Sequence, residues 1–241
     1  MFHAEKTRDL LVEWITAVVS GAGAKGLIFG LSGGIDSAVV AGLCKIAYPK
    51  TTLGVIMPCH SVPEDKKDAL LVARALDLET KKVDLAEPFD YLTSSTKISQ
   101  NTMAAHNLKP RLRSATLGLI GQSLGYLVIG GSNQVEWYTG YFTKFGDSAV
   151  DLLPLARLTK AEVYELAKVL NIPDKIITKA PSAGLWEGQT DEDEMGIQYS
   201  ELDSYLTNGT GDKEIIRKIE TLHKKSTHKR QMPPMGPVVR D

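Results

Sequence analysis

The sequence predicts an α/β fold in which helices cover both faces of a parallel sheet. Short apolar runs typical of buried strands alternate along the chain with amphipathic segments typical of helices. A glycine-rich turn joins the first of these strands to the helix that follows it. Because strand–helix–strand connections cross over with a single hand, the alternation indicates a doubly wound parallel sheet.

The first half of the chain supplies three of the expected strands. Apolar residues recur at helical spacing from Leu10 to Val19, and Gly21 and Gly23 end that helix. The next segments alternate between strand and helix: strand "LIFGL" (27–31), helix "SAVVAGLCKIAY" (37–48), strand "TLGVIMP" (52–58), helix "EDKKDALLVARALD" (64–77) and strand "TKKVDL" (80–85).

The second half predicts one further strand and mostly helices. Residues 97–124 are expected to be largely helical, and "GYLVIGG" (125–131) is the fourth strand, followed by a polar and aromatic loop over 132–151. Thr159 and Glu162 form a capping box that opens a helix ending near Asn171. After it we expect a lid-like acidic loop (about 180–196), helices at about 197–206 and 213–225, and a basic tail (about 223–241).

Length and charge exclude several classes of protein. The chain has 241 residues, 43% hydrophobic and 24% charged, and we expect residues 1–241 to form a single domain. A formal net charge of -1 does not indicate electrostatic binding to nucleic acid or to an anionic membrane. Charged residues interrupt the N-terminal helix, so it predicts neither a signal peptide nor a membrane span, and we expect a cytoplasmic location. Cys44 and Cys59 are too few for a disulfide framework and lack the neighbours of a zinc site.

The stretch from Gly30 to Gly34 has two possible interpretations. It fits G-x-S-x-G, the nucleophile elbow of α/β-hydrolases, with Ser32 as nucleophile. That elbow needs an oxyanion-hole donor from an earlier strand–helix loop, yet only one helix and one strand precede Ser32. The possible histidine bases have no telling context; they are His60, His106, His223 and His228. The order of elements therefore argues against a hydrolase.

A phosphate site explains more of the same stretch. Glycines at 30, 33 and 34 let the main chain approach an anion, and the following helix directs its positive N-terminal end at the same place. Ser32 and Ser37 can donate hydroxyl hydrogen bonds. Asp36 would repel a bare phosphate, so its position favours a Mg²⁺ ion between the carboxylate and the phosphates. The lysine of a Walker A motif is missing.

The loop resembles the S-G-G-x-D-S pyrophosphate loop of ATP pyrophosphatases, and the later stretches together are similar to ammonia-dependent NAD synthetases. These stretches are "NLKPRLRSATLG", "IGGSNQVEWYTGYFTKFGDSAVDLLPLARLTKAEVYELA", "KAPSAGLWEGQTDEDEMG" and "HKRQMPP". The resemblance covers most of the chain from Gly30 onward. It implies an adenine-nucleotide α-hydrolase-like (Rossmann-like) fold, a homodimer, and adenylylation of the nicotinate carboxylate of deamido-NAD by Mg-ATP before ammonia displaces AMP.

The resemblance also assigns site residues. It implies Asp36 and Lys160 as catalytic residues and Asp36 and Glu136 as Mg²⁺ ligands, a role suited to hard carboxylate oxygens. The ATP contacts that it implies are Gly30, Leu31, Ser32, Gly33, Gly34, Ile35, Asp36, Ser37, Gly131, Lys160 and Ser182. The deamido-NAD contacts that it implies are Arg111, Lys144, Asp151, His228 and Lys229, mostly cations facing an anionic dinucleotide.

Several details leave room for other assignments. Arg113 is an equal rival to Arg111, and the rings of Tyr138, Tyr141 and Phe142 are candidates to stack on the nicotinate. Glycine at 131 stands where the family that the chain resembles usually has a threonine that contacts ATP. The chain further departs from the family pattern at two positions, Ser148 and Gly184.

Glutamine-dependent relatives carry a fused amidase domain for which this chain is too short, so we expect ammonia to be used directly unless a separate glutaminase delivers it. Two other activities stay open. One is another ATP pyrophosphatase that amidates or thiolates a different acceptor. The other is a non-catalytic protein that binds adenine nucleotides without consuming them.

Overall fold

A four-stranded parallel sheet runs through the centre of the computed structural model, which describes residues 2–180 and 190–238. Its strands lie in the order β3-β2-β1-β4, and all three pairings are parallel. Their bounds are β1 Gly26–Gly30, β2 Thr52–Ile56, β3 Glu79–Lys82 and β4 Tyr126–Val128. Charged side chains on β3 suit an edge strand because they discourage pairing with another chain. The fold class predicted from the sequence is confirmed.

Side chains of β1 alternate between two buried layers, as the pleat of a strand requires. Leu27 and Phe29 join one apolar cluster, and Ile28 joins a second cluster on the opposite face. Because both faces are covered, β1 and β2 are continuous apolar runs instead of alternating ones.

Twelve α-helices occur among the described residues, most of them in two layers around the sheet. The bounds are α1 Ala4–Gly21, α2 Ile35–Ala47, α3 Pro63–Ala75, α4 Ala86–Thr96, α5 Met103–His106, α6 Leu108–Leu124, α7 Gln134–Thr139, α8 Lys160–Val169, α9 Asp174–Ile177, α10 Asp191–Met195, α11 Tyr199–Asn208 and α12 Lys213–Lys225. The first layer contains α1, α2, α3, α8 and α9, and the second contains α4, α5 and α6. A 3-10 turn, Thr227–Lys229, follows α12.

A third apolar cluster lies outside the two layers and joins α7 to α11 and α12. Its buried members include Val135 of α7, Leu202 of α11 and Ile219 of α12. Contacts between α11 and α8 connect this cluster to the first layer. The cluster therefore holds α7, which follows β4, beside the N-terminus of α8.

The segment predicted to be largely helical, 97–124, contains α5 and α6, and only its first residues, 97–102, are not helical. The helix before it, α4, was not predicted. Its sequence contains Pro88 and several hydroxyl side chains, which are weak helix formers, but Pro88 falls in the first turn where its missing N–H costs little. Burial of Phe89 stabilises the helix, and Lys97, with a left-handed φ of 56°, ends it.

Two predictions of loops are wrong. Helix α7 interrupts the loop predicted over 132–151, and α10 occupies part of the predicted lid. Both helices are short and are stabilised by tertiary burial, of Val135 in α7 and of Met195 in α10. Residues 181–189 of the lid and 239–241 of the tail lie outside the described residues.

Two further expectations concern the single domain and the cysteines. A single domain over 1–241 stays a prediction. Cys44 and Cys59 are both buried and unpaired, as expected.

Among residues 2–180 and 190–238, none of the helices has the length and apolar character needed to cross a bilayer.

Candidate active site

The turn between β1 and α2 is held together by its own hydroxyl groups. The Oγ atoms of Ser32 and Ser37 lie 3.0 Å apart, and the Ser32 Oγ accepts a hydrogen bond from the Gly34 N–H at 3.2 Å. Ser37 donates to the Gly34 carbonyl at 2.9 Å. Among the described residues, no histidine is hydrogen-bonded to Ser32, so the structure gives no support to a hydrolase nucleophile at this position.

Gly33 makes the close approach that fixes the shape of this turn. Its φ is +84°, a conformation that favours glycine. An added Cβ would lie 2.6 Å from the carbonyl oxygen of Asp65 and 2.8 Å from the main-chain nitrogen of Ala69, both in α3. The turn therefore packs directly on the start of α3, and only glycine fits at this point.

Four side chains from three helices meet beside the turn. Lys160, at the start of α8, donates to Asp36 in the first turn of α2, with 2.6 Å between the Nζ and Oδ2 atoms. Asn133, the N-cap of α7, donates from Nδ2 to the other carboxylate oxygen of Asp36 at 3.3 Å. The main-chain N–H of Asn133 donates to Glu136 Oε2 at 3.2 Å. Asn133 thus stands between the two acidic residues that the sequence predicted as metal ligands.

Capping boxes fix two of these positions. Asn133 and Glu136 form a reciprocal box at the start of α7, and Thr159 and Glu162 form another at the start of α8. The carboxylate of Asp203 accepts hydrogen bonds from the main-chain N–H groups of Lys160 and Ala161. This carboxylate offsets the positive end of the helix dipole, which by itself disfavours a lysine there.

The charges of Asp36, Glu136 and Lys160 interact strongly. Burial alone lowers the pKa of Lys160, whose side chain is 2% exposed, but the carboxylates of Asp36 and Glu136 outweigh burial and raise that pKa. Burial raises the pKa of Glu136 well above its usual value, and the negative charge of Asp36 raises it further. The negative charge of Asp36 therefore disfavours ionisation of the buried Glu136 carboxyl.

This donor set fits a magnesium ion that is shared with a phosphate. Within the described part of the chain, no group of three or more His, Cys, Asp or Glu side chains could hold a metal by itself. Mg²⁺ is commonly bound by one or two carboxylates, with substrate phosphates and water as the other ligands. Asp36 and Glu136 match that pattern, and a cation between them would relieve their repulsion.

A second group of predicted residues lies around the loop after β4. Arg111 donates from Nε to the Lys144 carbonyl at 3.3 Å, and Lys144 donates from Nζ to the His228 carbonyl at 2.6 Å. Lys229 donates to the carbonyls of Gly140 and Phe142, each at 2.7 Å. Among the described residues, none of these three cations forms an ion pair. The structure therefore brings four of the five predicted acceptor contacts together: Arg111, Lys144, His228 and Lys229.

The remaining predictions for this region fare differently. Asp151 uses its Oδ2 to accept the Val128 N–H at 2.7 Å, so its carboxylate is bonded at the end of β4. Ser182 lies outside the described residues. The three aromatic rings have protein partners: Phe142 stacks on Trp137, Tyr138 stacks on His223, and the Tyr141 hydroxyl donates to Glu194. These contacts leave the predicted stacking on nicotinate without structural support.

Sequence patterns and known structures agree on the family. The sequence model described as NAD synthase matches residues 8–233. This chain belongs to the NAD synthase family. It is 50% identical over 233 residues to the NH3-dependent NAD(+) synthetase of Carboxydothermus hydrogenoformans, covering 95% of this chain and 96% of that protein. The match confirms the predicted family and, with it, a ligase that forms a carbon–nitrogen bond.

Two solved structures of this family have the same fold. The NMN synthetase of Francisella tularensis superimposes with a TM-score of 0.95 at 38% identity, covering 99% of this chain and 100% of that one. The NH3-dependent NAD synthetase of Campylobacter jejuni, in complex with the nitrate ion, gives a TM-score of 0.83 at 31% identity, covering 98% and 100%. The adenine-nucleotide α-hydrolase-like fold implied by the resemblance is thereby confirmed.

Several site residues of this family member were not found from the sequence. Asn133 was missed although N-x-x-E is a capping signature that places residues 133 and 136 at one helix start. Tyr199 lies with its ring centre 5.0 Å from Lys160 Nζ and donates to Asp191 at 2.9 Å. Tyr199, Asp191 and Asp203 come close to Lys160 only through tertiary packing, and no pattern in the sequence signals these three residues.

Restoring the family's usual threonine tests the ATP side of the site. A Cβ at Gly131 would lie 3.6 Å from Asp36, an ordinary contact, and its φ is not left-handed. We expect Gly131→Thr to fold normally and to lower KM for ATP by roughly 2- to 10-fold, the effect of one added hydrogen bond. In the control Gly130→Thr, the new side chain would crowd Val150 and Leu153 at 3.0 Å and should lower the melting temperature. An unchanged KM in a folded Gly131→Thr variant would remove position 131 from the ATP site.

Proposed function

We propose that this chain amidates deamido-NAD with ammonia. Mg-ATP adenylylates the nicotinate carboxylate with release of pyrophosphate, and ammonia then displaces AMP to leave the amide. The observation that carries the proposal is the Asp36–Asn133–Glu136 group, which lies beside the glycine turn with the buried Lys160 in contact. The NH3-dependent NAD(+) synthetase of Carboxydothermus hydrogenoformans, 50% identical to this chain, supports it.

The residues of the turn would position ATP. The glycines allow main-chain N–H groups to approach the phosphates, and α2 directs its N-terminus at them. Lys160 now neutralises Asp36, and it is placed to stabilise negative charge on pyrophosphate as it leaves. A bound Mg²⁺ would supply charge neutralisation between these phosphates and the carboxylates of Asp36 and Glu136.

Replacing Glu136 with glutamine should separate metal binding from stability. Glutamine keeps the capping box because its side-chain carbonyl can accept the Asn133 N–H. It removes the negative charge next to Asp36, so we expect the ligand-free enzyme to become more stable by about 1 kcal/mol. Loss of a metal ligand should lower the rate of pyrophosphate release by at least about 100-fold.

The matched control is Glu162→Gln, the same change in the capping box of α8. It should leave the free energy of unfolding, measured with urea, within about 0.5 kcal/mol of the wild type and turnover within about twofold. If Glu136→Gln keeps wild-type turnover at limiting Mg²⁺, Glu136 is not a metal ligand.

The acceptor would bind at the cations around the loop after β4. Among the described residues Arg111, Lys144 and Lys229 bond to main-chain carbonyls and form no ion pair, as expected for a site that takes an anionic nucleotide. A second candidate acceptor is the deamido form of NMN, favoured by the TM-score of 0.95 with the Francisella NMN synthetase. The dinucleotide is favoured by the higher identity, 50%, to a named NAD synthetase.

The deciding experiment measures pyrophosphate release from Mg-ATP and ammonium, with deamido-NAD, with nicotinate mononucleotide and with neither. Release that depends on deamido-NAD, with NAD and AMP formed in equal amounts, is expected. A preference for the mononucleotide would select the second candidate. Release with neither but with another carboxylate or carbonyl compound would indicate a different ATP pyrophosphatase, and ATP binding without release would indicate a nucleotide-binding protein.

We also propose that two copies pair through the face of α4, α5 and α6. This face exposes Tyr91, Met103 and Leu119, the last with 73% of its surface accessible. A groove next to Leu119 runs between α6 and the β3 edge of the sheet. Such apolar surface on one side of a monomer is typical of an interface.

A cytoplasmic location stays a prediction from the sequence.

Light scattering after size exclusion tests the homodimer. The wild type should elute with twice the mass of the 26.2 kDa chain, and Leu119→Glu should shift it toward the monomer. Ile46→Glu is the control because Ile46 is also exposed, at 49%, but lies on α2 in the other layer. A monomeric wild type, or dimers that survive Leu119→Glu and dissociate with Ile46→Glu, would contradict the proposed face.

A further inference from the structure

Arg113 lies at the ligand edge of the sheet, next to the glycine turn. It belongs to α6, and its Nε donates to the main-chain carbonyl of Met57, the residue that follows β2, at 3.3 Å. One helical turn further along α6, Leu117 contacts the space above Gly30, and the Met57 side chain reaches the same space. Arg113 therefore stands above the carboxyl ends of β1 and β2, where parallel sheets of this kind bind their ligands.

The guanidinium of Arg113 is partly buried and forms no ion pair within the part of the chain that the structure describes. Among residues 2–180 and 190–238, its one hydrogen bond is to Met57, so most of its five N–H donors are unused. Burial lowers the pKa of the group, while the charges of Asp147 and Asp65 act against that shift. Neither carboxylate pairs with it: Asp65 accepts from Lys179 at 2.9 Å, and Asp147 accepts from the Thr143 N–H at 2.8 Å.

Other cations close to the turn are compensated in a way that Arg113 is not. Lys160 pairs with Asp36, and Lys179 pairs with Asp65 and Asp68. Removing a guanidinium from water without a charged partner is unfavourable, so the position of Arg113 calls for an interaction that offsets the loss of hydration. An anionic ligand bound at the carboxyl edge would do so, because a guanidinium can grip a carboxylate or phosphate with two parallel hydrogen bonds.

We propose that Arg113 is a substrate-binding residue that grips an oxyanion of a bound reactant between the glycine turn and the loop after β4. The inference rests on the proposed function, since it supposes that ATP and an anionic acceptor meet at this edge. The oxyanion is either a phosphate of ATP or the carboxylate or phosphate of the acceptor. Arg111, which is exposed and bonded to two main-chain carbonyls, then contributes a second, outer cation on the same helix.

The test is calorimetric titration of Arg113→Gln with Mg-ATP and, separately, with deamido-NAD. Loss of a charge-assisted bidentate contact should weaken binding of one reactant by about 10- to 100-fold and leave the other within twofold. Weaker binding of ATP identifies the phosphate source, and weaker binding of deamido-NAD identifies the acceptor. The same reactant should show the increased KM. Arg74→Gln, an exposed arginine at the end of α3, is the control and should bind both reactants normally.

Arg113→Lys covers the case in which the glutamine variant does not fold. It keeps the charge and the long stem but loses the planar fork, so a drop of about tenfold in the same affinity is expected. Wild-type affinity for both reactants in a folded Arg113→Gln variant, or in Arg113→Lys if glutamine prevents folding, overturns the proposal. Failure of the proposed function is recognised separately, because the wild type itself would then bind no deamido-NAD.

Discussion

Asp36→Asn is expected to lower deamido-NAD-dependent pyrophosphate release by at least about 1,000-fold, or about 4 kcal/mol in the barrier. The carboxylate is one of two that could hold Mg²⁺ against the phosphates, and a neutral amide is a poor ligand for a hard cation. Release of pyrophosphate at saturating ATP measures the effect. If Asp36→Asn keeps more than a tenth of wild-type turnover, the magnesium role assigned to Asp36 is wrong.

The structure adds a stability cost that the sequence alone does not predict. From residues alone one expects Asp36→Asn to leave the fold intact. In the structure, Asp36 accepts from Lys160 at one oxygen and from Asn133 at the other. An asparagine at position 36 has one oxygen and cannot accept from both donors. Its NH₂ group must therefore face either the Lys160 ammonium or the Asn133 amide NH₂. The Asp36 side chain is 21% exposed, which moderates the loss, and we expect about 2–3 kcal/mol.

A double variant separates the two effects. Asp36→Asn with Lys160→Met removes both charges of the pair, and apolar replacement of a buried ion pair is often neutral for stability. We expect the double variant to recover most of the melting temperature lost in Asp36→Asn and to remain inactive. Recovery of activity together with stability would mean that Asp36 acts only as the partner of Lys160.

Gly33→Ala should destabilise the protein more than the same substitution at Gly30 or Gly34, the other glycines of the turn. The left-handed φ of +84° costs an alanine roughly 1 kcal/mol, and its Cβ would collide with main-chain atoms of α3 at 2.6 and 2.8 Å. Main-chain atoms cannot rotate away as a side chain can, so the turn or α3 must move, at a further cost of about 1–3 kcal/mol. We expect the melting temperature to fall by about 6–12 °C and KM for ATP to rise more than about 100-fold.

Gly34→Ala is the matched control one residue away. Gly34 has a φ of -89° and ψ of 162°, which any residue adopts, and its added Cβ would meet only the Ser32 hydroxyl at 3.4 Å. Its melting temperature should stay within about 2 °C of the wild type. Thermal unfolding of both variants, with and without Mg-ATP, makes the comparison. Equal losses in the two variants would show that packing on α3 does not determine the shape of the turn.

The local elements were largely predictable because their signals are local. The helix at 213–225 was predicted with the bounds that α12 has, and the capping box at Thr159 and Glu162 is present. Predictions failed for α4, α7 and α10, because weak or short helices depend on burial of side chains such as Phe89, Val135 and Met195. That burial involves elements distant in the chain, and periodicity does not reveal it.

The sequence by itself determined the fold class, the family, the glycine turn and the acidic pair Asp36 and Glu136. Each of these depends on residue types at short spacing or on similarity along the chain. Only the tertiary structure decided which charges meet: Lys160 lies 124 residues from Asp36 in sequence yet donates to its carboxylate. The tertiary structure also decided that Arg113 is partly buried, with its Nε bonded to the Met57 carbonyl, and that the Asp151 carboxylate accepts the Val128 N–H at the end of β4. Burial and partner choice arise when distant segments pack together, and they decide what a charged side chain can do.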